Sequence, residues 1–194
     1  MAATVELMPM VGFQVNGSKD LVGPRNDRMD LKNVALRGVS IGYMNKDNGE
    51  LEFSWTRANS SAQIQRSGGF PSDQFDVKID QFHLNALYMF SDDAVQPFIL
   101  IGAGATHLAP VTDRSPTTLF SMALGGGVKW LWNDYIGLRL DGRWTPALSP
   151  QGTHFFCDNT GDTGCYSTQA NSYASHVVPA LQSFEFTSGL LLRY

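Results

Sequence analysis

Apolar residues recur at every second position along most of this chain, in stretches of about ten residues. Period two marks strands whose two faces meet different surroundings. From Thr4 to Asn16, Val5, Leu7, Val11, Phe13 and Val15 share one face, and Glu6, Met8, Met10, Gly12 and Gln14 share the other. A second strand, Val34 to Met44, sets Val39, Ile41 and Tyr43 against Gly38, Ser40 and Gly42, with Leu36 and Arg37 on the unexpected faces. A third sets Leu51, Phe53 and Trp55 against Glu50, Glu52, Ser54 and Thr56. The fourth (Val77 to Phe90), fifth (Gln96 to His107) and sixth (Leu119 to Trp132) alternate in the same way. The seventh places Ile136, Leu138, Leu140 and Trp144 opposite Gly137, Arg139, Asp141 and Arg143. The eighth places Phe184, Phe186, Leu190, Leu192 and Tyr194 opposite Ser183, Glu185, Thr187, Gly189 and Arg193.

The connections alternate too. Short turns are expected near Lys46, Asp92 and Asn133, the first on an Asn-Gly signal. Long loops are expected at Gly17 to Asp30, Asn59 to Gln74, Leu108 to Thr118 and Thr145 to Gln182. Eight strands of membrane-spanning length, with short turns at one end and long loops at the other, predict a closed up-and-down antiparallel barrel. The fold class is therefore all-β: an eight-stranded transmembrane β-barrel in one domain, residues 1–194. Both termini fall at the short-turn end.

Alternation alone does not say which face is inside. A water-soluble barrel of the lipocalin kind has the same period with its faces reversed. The polar face carries Glu6, Glu52, Lys129, Arg139, Asp141, Arg143, Glu185 and Arg193, charges of both signs that can pair in a narrow interior. The apolar face lacks the charge that water-facing surfaces carry. Only 16% of residues are charged, against roughly 25% in ordinary soluble domains. Aromatics collect near strand ends, Tyr43, Tyr88, Trp130 and Trp132 at the short turns, Trp55 and Trp144 toward the long loops. Such belts suit the two interfaces of a bilayer. The apolar face is thus expected to point outward, into lipid. A net charge of −4 argues against nucleic acid as a partner.

The stretches FHLNALYMF, QPFILIGAGATHL, LGGGVKWLWNDYIGLRLDGRW and FEFTSGLLLRY resemble the small outer-membrane β-barrels, the group of the OmpA transmembrane domain, OmpX and the opacity-type surface proteins. The resemblance implies residence in a bacterial outer membrane, with long loops outside the cell and both termini in the periplasm. It implies outer-membrane lipid and lipopolysaccharide as surroundings. In that family a terminal aromatic is read by the barrel-assembly machinery; Tyr194 holds that place, which implies an intact C-terminus. No secretory leader is visible, so the chain reads as a mature one with an added Met1. The resemblance is specific for fold and weak for activity.

Candidate chemistry is sparse. Glu52, Lys129, Arg139, Asp141, Arg143 and Glu185 are expected to form a charged plug, because eight strands leave an interior that side chains fill. Cys157 and Cys165 sit in a Gly-, Asn- and Thr-rich segment, and a local disulfide is expected, with two free thiols as the alternative. His83, His107, His154 and His176 show no spacing of a metal site or of a lipid-deacylating triad. No catalytic residue, metal or cofactor is assigned. The last loop, with Phe155, Phe156, Tyr166 and Tyr173, offers contact groups for a surface ligand. In the first loop, Lys19, Arg25 and Arg28 could meet lipopolysaccharide phosphates. The expected role is structural or adhesin-like, carried by the loops, without a wide pore. The alternative is a passive path for small, mostly apolar molecules, and a lipid-modifying enzyme ranks below both.

Overall fold

Eight long strands close on one another in the computed structural model: β1 (Thr4–Asn16), β2 (Val34–Met44), β3 (Gly49–Gln65), β4 (Asp73–Met89), β5 (Val95–Pro110), β6 (Thr117–Leu131), β7 (Ile136–Ser149) and β8 (Val178–Arg193). The structure describes residues 4–17, 19–20, 28–45, 48–65, 73–112, 115–149, 154–155, 166–167 and 178–194. Each strand pairs antiparallel with the next. β1 pairs with β8 from Glu6↔Arg193 to Asn16↔Ser183, so the sheet has no free edge among these eight. Tyr194 extends this seam, donating its N–H to the Val5 carbonyl at 3.0 Å and accepting from the Val5 N–H at 3.1 Å. The tight turn before β3 places Asn48 at φ 57°, a left-handed conformation that asparagine tolerates. Lys19–Asp20 pairs with Arg28–Leu31, which adds to the long-loop end of β3. A second ribbon, His154–Phe155 with Tyr166–Ser167, stands apart from the barrel sheet.

The faces separate as the alternation requires. Val11, Ile101 and Phe186 are 63%, 56% and 58% exposed, while Glu52, Lys129 and Arg139 are at 1% or less. A collar of bare apolar side chains on a closed wall is stable only against hydrocarbon. On β6, Phe120 and Trp130 stand ten residues apart, about 33 Å of strand and roughly 25 Å of height at a 40° tilt. That matches the apolar band of a membrane barrel.

The polarity then inverts. Above Trp55 the outward side of β3 turns to Arg57, Asn59, Ser61 and Gln63. On β4, beyond Phe82, it turns to Asp80, Lys78, Asp76 and Gln74. At the same level the inward side turns apolar: Leu36, Ala58, Ala62, Phe75, Val77, Ile79, Leu108, Leu119 and Ala147 form one buried cluster, with Leu31 beside them. The wall therefore changes from a membrane barrel to a water-facing barrel at the upper aromatic row.

This inversion corrects the expected strand ends. β3 continues past Asn59 to Gln65, β4 begins at Asp73, β5 runs to Pro110, β7 to Ser149 and β8 starts at Val178. The apolar-outward rhythm stops where the wall leaves lipid, but the hydrogen-bonded ladder does not. It also explains Leu36 and Arg37: Leu36 is buried in the upper core, and Arg37 faces outward.

The collar is uneven. Along β2 and β3 it covers Val39, Ile41, Tyr43 and Leu51, Phe53, Trp55 before Arg37 and Arg57 interrupt it. On β1 the outward run Val5, Leu7, Pro9, Val11, Phe13, Val15 is about twice as tall, as it is on β6 and β8.

Leu124 lies midway up the tall side and Ser61 lies above the collar. Leu124→Arg is expected to cost about 2–4 kcal/mol of folding free energy in lipid vesicles, and Ser61→Arg close to nothing. Urea titration of the refolded chain in vesicles measures both.

Candidate functional site

Ionic chemistry concentrates in the lumen, in two layers. Near the short turns, the buried Lys129 ammonium bridges Glu6 and Glu50. Glu6 also accepts from Arg193 Nε at 2.6 Å, and Arg193 Nη2 donates to Gln96 Oε1 at 3.0 Å. Met8, Met10 and Leu191 form one buried apolar cluster in the lumen, and Leu87, Met89, Phe98, Leu100 and Ala123 form another.

At mid-height, Arg139 pairs with Glu52 through Nη1 and donates from Nη2 to Asp141 Oδ2 at 2.6 Å. Its guanidinium carbon lies 4.6 Å from the centre of the Phe98 ring. Arg143 Nη2 donates to the same Asp141 oxygen at 2.8 Å, and the Thr187 hydroxyl donates to the other. Asn85 Nδ2 donates to Glu52 Oε1 at 2.9 Å and to Ser54 Oγ at 3.0 Å. Glu185 completes the layer, buried and opposite Arg143 in register. Bringing Glu52, Lys129, Arg139, Asp141 and Arg143 into ion pairs offsets a desolvation cost of several kcal/mol per charge.

Glycine makes the room. In register, Arg139 faces Gly189, Asp141 faces Gly127, Arg143 faces Gly125 and Glu52 faces Gly42. A Cβ on Gly127 or Gly125 would overlap the backbone of β7. The same device joins His83 to Ser121. Both flank Gly104 on neighbouring strands, and Ser121 Oγ lies 2.9 Å from His83 Nε2 across it. A serine two residues along the strand is absent; the partner stands two strands away, which a scan along one strand does not find. Both side chains are buried.

On the outer wall Tyr43, Tyr88, Trp130 and Trp132 are more than half exposed. Trp55 and Trp144 are half-buried toward the long loops. Trp55 Nε1 donates to Asp80 Oδ1 at 3.1 Å, and Arg57 clamps the same carboxylate at 2.7 and 3.0 Å. The Arg57 guanidinium also lies 5.4 Å from the centre of the Trp55 ring. Cys157, Cys165, Arg25, Phe156, Tyr173 and His176 lie outside the described residues. No group of metal-ligating side chains occurs among the described residues.

The apolar upper layer is not among the features expected from the sequence. The signal was present: Val77 and Ile79 share the parity of Gln81, His83 and Asn85, and Leu119 that of Ser121.

Replacing Arg139 by Met leaves Glu52 without its paired cation and Asp141 with Arg143 alone. The expected loss is about 3–5 kcal/mol of unfolding free energy, partly recovered by adding Glu52→Gln. Both are read from urea titrations in vesicles.

No family description and no curated protein matches the chain. Solved structures do. The outer membrane protein OprG from Pseudomonas aeruginosa superposes with a TM-score of 0.72 at 11% identity, over 100% of this chain and 96% of that one. Neisserial surface protein A gives 0.59 at 13% identity, over 100% of both chains. Ail, the attachment invasion locus protein of Yersinia pestis, in complex with the heparin analogue sucrose octasulfate, gives 0.52 at 11% identity, over 98% of this chain and 99% of that one. Closed, antiparallel, apolar on its outer wall and ionic within, the chain has the fold of the small eight-stranded outer-membrane barrels.

Proposed function

We propose that the protein is a sealed outer-membrane barrel that acts at the bacterial surface, holding its long loops on a β-walled rim above the outer leaflet. In this reading the long-loop end faces the exterior and both termini face the periplasm. The observation that carries it is the polarity inversion. Strands of 17 residues, such as β3 and β4, rise roughly 43 Å at a 40° tilt, well beyond a 25 Å apolar band. The part above the band has its own packed core, so it stands as a rigid platform. Below, two ion-paired layers lie across the lumen, which supports a bore closed to solutes. A chain that blocks its bore and builds upward is suited to contact. Ail, which shares the fold, is described as an attachment protein. Outer-membrane lipid and lipopolysaccharide surround the wall, and the barrel-assembly machinery inserts it.

A second reading has one observation in its favour. The upper lumen is apolar, as a passage for small apolar molecules requires, but its floor is the ionic layer.

Two measurements separate these readings. Planar-bilayer recording of the intact chain is expected to show no steady open conductance; a large persistent current rejects the sealed lumen. Deleting residues 150–177 is expected to preserve the heat-dependent gel mobility of a folded barrel. It is also expected to reduce adherence of displaying cells to immobilised matrix glycoproteins or heparin to background. Unchanged adherence, with lost uptake of small apolar solutes, favours passage instead.

A further inference from the structure

Like charges meet on the outer wall. Arg37 of β2 stands directly opposite Arg57 of β3 in the antiparallel register, and both lie on the outward face. Residues opposed in this way stand about 5 Å apart at Cα, and like charges so placed destabilise the pair. Arg57 has a partner: its Nε and Nη2 donate to the two oxygens of Asp80 at 2.7 and 3.0 Å. Arg37 has no ion pair or hydrogen bond from its side chain among the described residues. Its neighbours on the wall are apolar. Val11 faces it from β1, and Ala35 and Val39 flank it on β2.

The position of this pair matters as much as its charge. The row directly below it, Val39, Trp55 and Phe82 in register, is the top of the apolar collar on this wall. The exposed Lys78 stands one row above, opposite Asn59 and diagonal to Arg57. Beyond Lys78, Asp76 accepts from the Ser61 hydroxyl at 2.8 Å. Three cations, Arg37, Arg57 and Lys78, thus meet two carboxylates, Asp80 and Asp76. The excess charge falls at the edge of the hydrocarbon, where a guanidinium is costly unless it meets water or an anion.

The free donors converge. A guanidinium carries five N–H donors in a planar fork. Arg57 commits Nε and one Nη2 hydrogen to Asp80, which leaves its Nη1–Nη2 end open, and its side chain is 39% exposed. Asp80 and the Trp55 ring, 5.4 Å from the guanidinium carbon, fix where that end stands. We propose that Arg37 and Arg57 together hold the phosphomonoester headgroup of a membrane lipid, with Lys78 at its rim and the acyl chains descending over Val11, Val39 and Ile41. A phosphomonoester brings about −1.5 to −2 charges and three terminal oxygens, enough to accept from both guanidiniums at once. A phosphodiester has fewer terminal oxygens and less charge. The inference goes beyond the surface-contact reading: it concerns the wall and not the loops, and its test is indifferent to which end of the barrel faces the exterior.

The test uses the full chain refolded into phosphatidylcholine nanodiscs, with the arginine Nε–H signals followed by NMR. Phosphatidic acid, which carries a phosphomonoester, is raised in mole fraction against phosphatidylglycerol and cardiolipin, which carry phosphodiesters, with matched acyl chains. Saturable shifts at Arg37 and Arg57 are expected with phosphatidic acid, at a mole fraction at least fivefold lower than with either diester. Soluble glycerol phosphate at the same total concentration is expected to leave both signals in place. Arg37→Gln is expected to weaken phosphatidic acid binding at least fivefold, read at Arg57, while keeping folded-barrel gel mobility. Equal response to the diesters or to glycerol phosphate, no saturable shift, or a folded Arg37→Gln variant that binds as well as the parent overturns the inference. If Arg37→Gln does not fold, Arg37→Lys decides, because it keeps the charge and loses the fork: weakened binding supports the site, and unchanged binding overturns it.

Discussion

Pairing of buried charge governs this molecule. A closed eight-stranded wall leaves an interior only as wide as its side chains, and here that interior is largely ionic. Each carboxylate or guanidinium taken from water would destabilise the barrel unless its partner arrives with it. The partners come from strands far apart in sequence: Lys129 reaches Glu6 and Glu50 from β6 to β1 and β3, and Arg139 reaches Glu52 from β7 to β3. The clusters thus tie opposite walls together and hold the register that the glycines permit. The same pairing sets charged side chains across the bore at two levels.

The wall meets two solvents, and its sequence changes meaning where they meet. Below the upper aromatic row, apolar means outward; above it, apolar means inward. Arg57, Asp80 and Trp55 mark the crossing on β3 and β4 with a clamped, ring-stacked ion pair. Above that row the barrel is held by ordinary hydrophobic packing, as a soluble protein is.

Much of the fold was legible in the alternation. β1 and β2 begin and end where the pattern placed them, at Thr4 to Asn16 and Val34 to Met44. The turns at Asn45–Gly49, Ser91–Ala94 and Asn133–Asp134 announced themselves through their residues. The lumen charges could be placed inside because a lipid-facing wall excludes them. Strand ends could not be placed, because the apolar-outward rhythm fades at the membrane surface while backbone pairing continues. Partners within the lumen were hidden for another reason. Pairing across a barrel depends on shear and side-chain reach, so Ser121 beside His83 emerges only when neighbouring walls are set face to face.

The uneven collar has a mechanical consequence. A bilayer leaflet bends or compresses to cover whatever apolar height a protein offers, at fractions of a kcal/mol per ångström of mismatch. Against β1, β6 and β8 it keeps its ordinary thickness, but against β2 and β3 Arg37 and Arg57 draw the headgroups down toward the short run below them. Either the barrel axis leans toward that wall or the lipid is pinched beside it. Both outcomes make the cylinder rotationally distinct to the lipid around it.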